Sequence, residues 1–354
     1  MVNTAVVIVI MMGVLYSTQL QISKAMERQY IDTFKIIKDR MVKRKELKAQ
    51  GKNEKLEPIS PEKKKIFYLY IFALILNNTV MFYVWIAGTQ DSVPSTYFTS
   101  VIGIGLIALL IYSYFVMKEP ISKYEIIGAF TVIVGTVFIG YDSVIRDPID
   151  QGDIKVGAAM IAIVAFLLIG AVFAYFAFKK GTPAIIGLVF GMFSGGCGSM
   201  EAVLKGIGLA QGSEKTGFFP QTGPGWFAFV FSFLMATFAF TFTQWGFAKG
   251  ARANALVPTF NSMYVLLPQI LYPWLLPNYQ WFWSTYAGII LIIVGIVFMQ
   301  AFKEEEKLIH EPDYVGEEIE EFVEGEEDQK ETPSEKIESQ VIKESSSETQ
   351  TSQS

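Results

Sequence analysis

Gly128-Ala-Phe-Thr-Val-Ile-Val-Gly135-Thr-Val-Phe138 reads against Gly288-Ile-Ile-Leu-Ile-Ile-Val-Gly295-Ile-Val-Phe298 with both glycines, Ile-Val-Gly and Val-Phe in register. Shared apolar composition accounts for part of that match, but not for the register of the glycines. Val93-Pro94 and Val257-Pro258 open the apolar runs just before these two, so the repeat covers two helices in each half. Gly128 and Gly135 lie seven apart, as do Gly288 and Gly295. Seven residues return to one helix face, and small residues there let two helix backbones approach closely.

A hydrocarbon core about 30 Å thick needs roughly 20 apolar residues in helix to cross it. Working outward from the repeat, nine such runs can be marked: 2–22, 66–88, 95–117, 124–142, 156–178, 184–209, 226–248, 254–276 and 282–302. The chain of 354 residues is 51% hydrophobic and 18% charged, with a mean hydropathy of +0.36, which suits an all-α polytopic membrane protein. Charge is segregated. Residues 24–65 hold 14 of the 29 Lys and Arg, and 303–354 hold 18 of the 34 Asp and Glu, so the net charge of -5 says nothing about a nucleic-acid partner. The single Cys197 excludes an intrachain disulfide, and the single His310 lies in the acidic tail, away from any span. Histidine catalysis, a metal cluster and nucleotide-driven chemistry therefore have no residues to carry them.

Basic loops stay in the cytoplasm. The basic stretch 23–65 thus goes inside, as do Lys118 and Lys123, Lys179 and Lys180, Lys249 and Arg252, and Lys303 and Lys307. The outer loops keep little beyond Arg146, Lys155 and Lys215. The amino terminus is expected outside and the carboxyl terminus in the cytoplasm, with the cell membrane as the expected home. The first span reads as a retained anchor, because no small-residue cleavage pattern follows it. Tyr272, Trp274, Tyr279, Trp281 and Trp283 gather at one expected outer boundary, where amphipathic rings favour the headgroup level.

On this topology the two matched runs point in opposite directions. Pairing extends to spans one with six, two with seven, three with eight and four with nine, which leaves span five as a crossover: a 4+1+4 inverted repeat. The domains are then 1–302, with repeat one at 2–142, the crossover at 156–178 and repeat two at 184–302, followed by a disordered acidic tail at 303–354. Within 23–65, Ile31, Phe34, Ile37 and Met41 follow a helical spacing that suits a helix lying on the membrane surface, a plain loop being the alternative. The tail reads as solvated, with cation sensing the less favoured reading.

Polar groups inside a span face the protein interior or a wet cavity. By these boundaries Glu201 and Lys205, in span six, are the charged residues well inside a span. Gly187, Gly191, Ser194, Gly198, Glu201 and Lys205 share a face within about 80° at 100° per residue. That face reads either as a lining that lets a substrate or another backbone approach, with a carboxylate toward the outer half, or as a self-neutralising i, i+4 pair beside a packing groove. Asn77 and Asn78 in span two, Thr241, Thr243 and Gln244 in span seven, and Gln19 and Gln21 in span one read as a shared cavity or as interhelical hydrogen bonds. Pro268 should break or kink span eight.

With the nine spans, the inverted repeat and Met117-Lys-Glu119-Pro-Ile-Ser-Lys-Tyr-Glu125-Ile-Ile-Gly128, the chain resembles the drug/metabolite transporter superfamily. Within it the likeness is to the NIPA-type magnesium transporters, through the basic segment after the first helix, Lys205-Gly206-Ile207-Gly208, Ile293-Val294-Gly295-Ile296 and Ala301-Phe302-Lys303. The resemblance implies a secondary carrier of Mg²⁺ or another divalent cation, with Glu201 as the metal ligand beside amides in a wet cavity and no cofactor. One departure stands out: the family pattern implies an acidic residue in the second helix, where this chain has Leu76, Asn77 and Asn78. The alternatives are an exporter or exchanger of a small organic metabolite, with Lys205 on an anionic group, and a non-transporting receptor or scaffold. An enzyme is not expected. The expected partners are the lipid bilayer, a small ion or metabolite and, as an option, a second copy in a homodimer, with no nucleic acid.

Overall fold

The computed structural model describes residues 4–49, 58–90, 101–145, 155–210, 220–276 and 279–301, all within one compact unit. Every regular element among them is helical: α1 Thr4–Gln29, α2 Thr33–Ala49, α3 Pro61–Thr79, α4 Met81–Gly88, a 3-10 turn Ile102–Ile104 leading into α5 Gly105–Phe115, α6 Lys123–Ile145, α7 Val156–Lys180, α8 Pro183–Ala210, α9 Gly223–Ala248, α10 Ala253–Leu275 and α11 Trp283–Ala301. The expected tail, His310, Pro94 and the loop charges Arg146, Lys215, Lys303 and Lys307 lie outside the described residues.

Seven of these helical stretches, rather than nine, are long and apolar enough by themselves to cross a bilayer: Thr4–Gln29, Pro61–Ala87, Lys123–Asp142, Val156–Lys180, Pro183–Gly208, Gly223–Ala248 and Trp283–Gln300. The chain is a multi-pass membrane protein on that ground. The other two runs are helical but differ in kind. The third is short in its described part, from the 3-10 turn to Phe115. The eighth, α10, contains Pro258, Pro268 and Pro273, and all ten residues from Ala253 to Ser262 are buried. A helix enclosed by protein on every side needs no apolar coat, so Asn254, Thr259, Asn261 and Ser262 are tolerated there.

α10 runs unbroken from Ala253 to Leu275, so the helix does not end at Pro268, where a break or kink was expected. A proline removes one hydrogen bond, to the carbonyl four residues earlier, and a neighbour can restore that partner. For Pro273 the carbonyl is that of Gln269, which accepts from Trp281 Nε1 at 2.8 Å.

α6 and α11 pack glycine against glycine. A Cβ on Gly128 would stand 2.6 Å from the Gly295 carbonyl oxygen, and one on Gly135 would stand 2.9 Å from that of Gly288. Gly128 therefore opposes Gly295 while Gly135 opposes Gly288, so the two helices run antiparallel with backbones in contact. Elsewhere α1 packs on α3, α4 and α5, and α8 packs on α9, α10 and, less extensively, α7. α8 is the most buried of the seven candidate spans and α7 the least, which leaves α7 on the periphery. Segment 33–49 is helical, as its spacing suggested, and Phe34, Ile37 and Met41 on it are exposed.

Candidate functional site

The end of the first helix decides where the charges lie. The sequence reading closes that span at residue 22, but α1 continues to Gln29. Ser17, Gln21, Lys24 and Arg28 step four, three and four residues along one helix face, and the first three are buried. Lys24 and Glu27 therefore belong to the candidate span rather than to the cytoplasmic loop. The expectation that Glu201 and Lys205 are the charged pair of the spans is corrected: there is a second pair on α1.

Glu27 is fully buried. Its Oε1 accepts from Asn77 Nδ2 at 2.9 Å and its Oε2 accepts from Gln244 Nε2 at 2.6 Å. Gln244 in turn accepts from the Tyr70 hydroxyl through its Oε1 at 2.9 Å. One carboxylate thus joins α1, α3 and α9. Lys24 stands three residues earlier on the same helix. The Lys24 ammonium lies 3.9 Å from the centre of the Phe260 ring on α10. A carboxylate of the first helix thus meets Asn77 of the second apolar run.

Of the other polar residues, Gln19 is a tie at a helix break. Its Nε2 donates to the Leu76 carbonyl and to Thr79 Oγ1, both at 2.8 Å, and its Oε1 accepts from the Tyr83 hydroxyl at 2.8 Å. Those groups flank Val80, where α3 gives way to α4. Asn78 is exposed and donates to the Leu74 carbonyl of its own helix. Thr243 is buried and donates to the Ala239 carbonyl. The structure therefore gathers Asn77 and Gln244 around Glu27, and leaves Asn78 and Thr243 bonded within their own helices.

Several buried polar atoms beside this cluster have no hydrogen-bond partner among the described residues. They include both amide atoms of Gln21, Asn254 Oδ1, Asn261 Nδ2 and Ser262 Oγ. An orphaned buried donor or acceptor costs about 1–3 kcal/mol, so such a set suits a strip of α1 and α10 that meets water or a polar solute.

Glu201 and Lys205 form the second charged station. Their ion pair measures 2.7 Å, and both side chains are partly exposed. Glu201 acts electrostatically on Tyr16 of α1 and Tyr264 of α10. Tyr264 stacks on Phe260 with ring centres 6.3 Å apart and planes 15° apart. Lys24, Phe260, Tyr264 and Glu201 so make a continuous run along α1, α10 and α8. The thin part of the α8 face is occupied by helix packing: Gly187 meets Ala255, Gly191 meets the Leu256 carbonyl, Gly195 the Phe260 carbonyl, and Gly198 the Tyr264 ring.

The Glu-containing turn before α6 is a cap. Ser122 N–H donates to Glu125 Oε2 at 3.0 Å while Glu125 N–H donates to Ser122 Oγ at 3.2 Å, the reciprocal arrangement of a capping box. Glu125 Oε1 also accepts from Asn254 Nδ2 at 3.0 Å, which ties α6 to the start of α10. Arg28 Nε donates to the Ala251 carbonyl at 2.7 Å, beside the same turn.

Among the described residues no group of three or more His, Cys, Asp or Glu is placed to hold a metal. The donors around Glu27 are instead carboxylate, amide and phenol. An amide turned through 180° presents its oxygen, so Asn77 and Gln244 can face Glu27 as donors when the site is empty and face a cation as acceptors. Helical periodicity carried past residue 22, through Lys24 and Arg28, is the signal by which the sequence could have revealed Glu27.

No curated protein and no solved structure matches the chain. Residues 51–141, which hold Tyr70, Asn77 and Glu125, match the model of the EamA-like transporter family, so this stretch is similar to that family.

Proposed function

We propose that the protein is a secondary carrier built as two antiparallel four-helix repeats about a crossover helix, and that its substrate is a divalent cation. Mg²⁺ is the ion that the likeness to NIPA-type transporters implies. The observation that carries this reading is Glu27, a carboxylate held inside the helix bundle where α1, α3 and α9 meet. Mg²⁺ gives up its water reluctantly and is commonly held by one or two carboxylates with several waters retained. Glu27 with the Asn77 and Gln244 oxygens is such an all-oxygen set, and Glu201 is a second carboxylate nearer the other end of the pathway. The membrane potential supplies drive: two charges moved across 100 mV gain about 4.6 kcal/mol.

The antiparallel crossing of Gly128 and Gly135 over Gly295 and Gly288 supports the repeat layout. The test is flux into proteoliposomes loaded with a Mg²⁺-sensitive dye. Wild type should move Mg²⁺, and Glu27→Gln should lose at least tenfold in kcat/KM. A wild type without flux, or a Glu27→Gln variant equal to it, counts against the proposal.

A second reading draws on Lys24. A buried ammonium against an aromatic ring also suits an organic solute with an anionic group. Thermal-shift screening of divalent salts against metabolite anions separates the two, since a ligand that binds only the folded state raises its stability.

A further inference from the structure

The helix between the first two candidate spans has its charges sorted by side. α2, Thr33–Ala49, carries seven basic residues and two acidic ones. At 100° per residue Phe34, Ile37 and Met41 fall within about 60° of one another, and all three are exposed. Lys38, Arg44, Lys45 and Lys48 project within about 70° of the centre of that stripe, whereas Asp39 and Glu46 stand more than about 140° away. The half-buried Ile36, Arg40 and Leu47 gather within about 40° on a third side, which is the one turned toward protein. Apolar and basic groups thus share an uncovered side of α2, and its acidic groups are kept off that side. A helix that met only water would gain nothing from this sorting.

Phe34 sets the depth of the helix. Its ring meets the Tyr70 ring edge-on, with centres 5.4 Å apart and planes at 72°. Tyr70 lies on α3 within the candidate span Pro61–Ala87, and its hydroxyl donates to Gln244 of α9. Ile31 and Thr33, just before Phe34, are buried, and three residues join α2 to α1, itself a candidate span. α2 therefore starts against the bundle, not out in water. Lys63, Lys64 and Lys65, on the first turn of α3, are exposed. They precede Tyr70 by about six residues, roughly 9 Å along the helix. Three ammonium groups at the positive end of a helix dipole favour an anion beside them.

We propose that α2, together with the first turn of α3, is a docking surface for anionic membrane lipid. Phe34, Ile37 and Met41 enter the interface of the leaflet, while Lys38, Arg44, Lys45, Lys48 and the three lysines of α3 reach its phosphates. Long basic side chains lay their stems along apolar surface and carry their charged heads to the phosphate level. Each basic residue near a negatively charged leaflet favours the bound state by about fivefold, which zwitterionic lipid does not supply. A leaflet fits better than a soluble acidic partner, because α1 and the Phe34–Tyr70 contact already hold the start of α2 at the bundle. The inference concerns the lipid surface alone and stands whatever solute the protein carries.

The test places the full chain in nanodiscs of phosphatidylcholine, with or without about one-third phosphatidylserine, and follows an environment-sensitive dye on Met41→Cys. Cys197 is buried, so the dye reports the introduced thiol. In anionic discs the dye should shift to the blue and be quenched by a quencher carried on the lipid, and about 0.5 M salt should reverse both changes. The same dye on Lys43→Cys, on the far side, should stay wet in both lipids. Changing Lys38, Arg44, Lys45 and Lys48 together to Gln should lower the ratio of docked to free helix by at least about tenfold; all four are exposed, so the fold should survive. A Met41→Cys dye that is equally dry in zwitterionic discs, or indifferent to salt, overturns the proposal in favour of apolar insertion alone. One that is wet in both lipids overturns it and leaves α2 to water or a soluble partner. The same blue shift from inorganic phosphate in zwitterionic discs overturns it in favour of a free anion.

Discussion

Lys24 and Glu27 should be energetically coupled, and a double-mutant cycle measures by how much. Glu27→Gln keeps the shape of the side chain but removes its charge. The Asn77 and Gln244 amides, at 2.9 and 2.6 Å, then lose a charged acceptor. One of them also meets a new donor, and must turn its amide to present oxygen, which for Gln244 gives up the bond from Tyr70. Hydrogen bonds to charged groups contribute about 1.5–3 kcal/mol against about 1 for neutral ones, so this exchange costs about 1–3 kcal/mol. Lys24, 6% exposed, also loses the opposite charge three residues along its own helix, so the total cost exceeds that of the hydrogen bonds alone. Lys24→Met keeps the packing on Phe260 and leaves Glu27 its two amide donors, for a cost of about 1–2 kcal/mol. The double variant has neither a bare charge nor a lost stem. It should be about 1–3 kcal/mol more stable than the sum of the single changes implies. Purified full chain in detergent, unfolded by heat or by SDS and followed by tryptophan fluorescence, gives the four stabilities. Additivity within about 0.5 kcal/mol refutes the coupling.

Four further outcomes follow from the packing. Gly128→Ala places a methyl group 2.6 Å from the Gly295 carbonyl oxygen and should destabilise by about 1–3 kcal/mol in the same unfolding assay. Gly157→Ala, with nothing within 4 Å of the new methyl, should be neutral or stabilise by up to about 1 kcal/mol. Trp281→Phe removes the donor to the Gln269 carbonyl, and should cost about 1–2 kcal/mol in the wild type but less in a Pro273→Ala background, where the helix can supply its own N–H. Glu125→Ala removes a capping-box side chain and its tie to Asn254; a loss of about 1–2 kcal/mol is expected, and an unchanged stability would show that the turn before α6 does not depend on it.

Reading polar residues out of a membrane sequence depends on where each span is taken to end. The glycines of α6 and α11 were legible because close helix packing demands small residues at a seven-residue spacing, whatever the partner is. Glu201 and Lys205 were legible because they interrupt an apolar run. Glu27 was not, because it follows the first lysine of a basic stretch, and hydropathy treats that lysine as the start of the loop. Only the neighbours reveal that α1 goes on: Asn77, Gln244 and Phe260 come from three other helices, 50 to 236 residues away in the chain.

The sequence by itself determined that this chain is helical, lives in lipid and carries a repeated glycine pair, since these follow from local composition and periodicity. Tertiary structure decided which polar groups meet. A carboxylate in the membrane needs hydrogen-bond donors and a counter-charge, and helices far apart in sequence can bring them only by packing together. The same requirement placed α10, with its prolines and amides, inside the bundle, because backbone and side-chain groups that lipid cannot solvate must be satisfied by other parts of the protein.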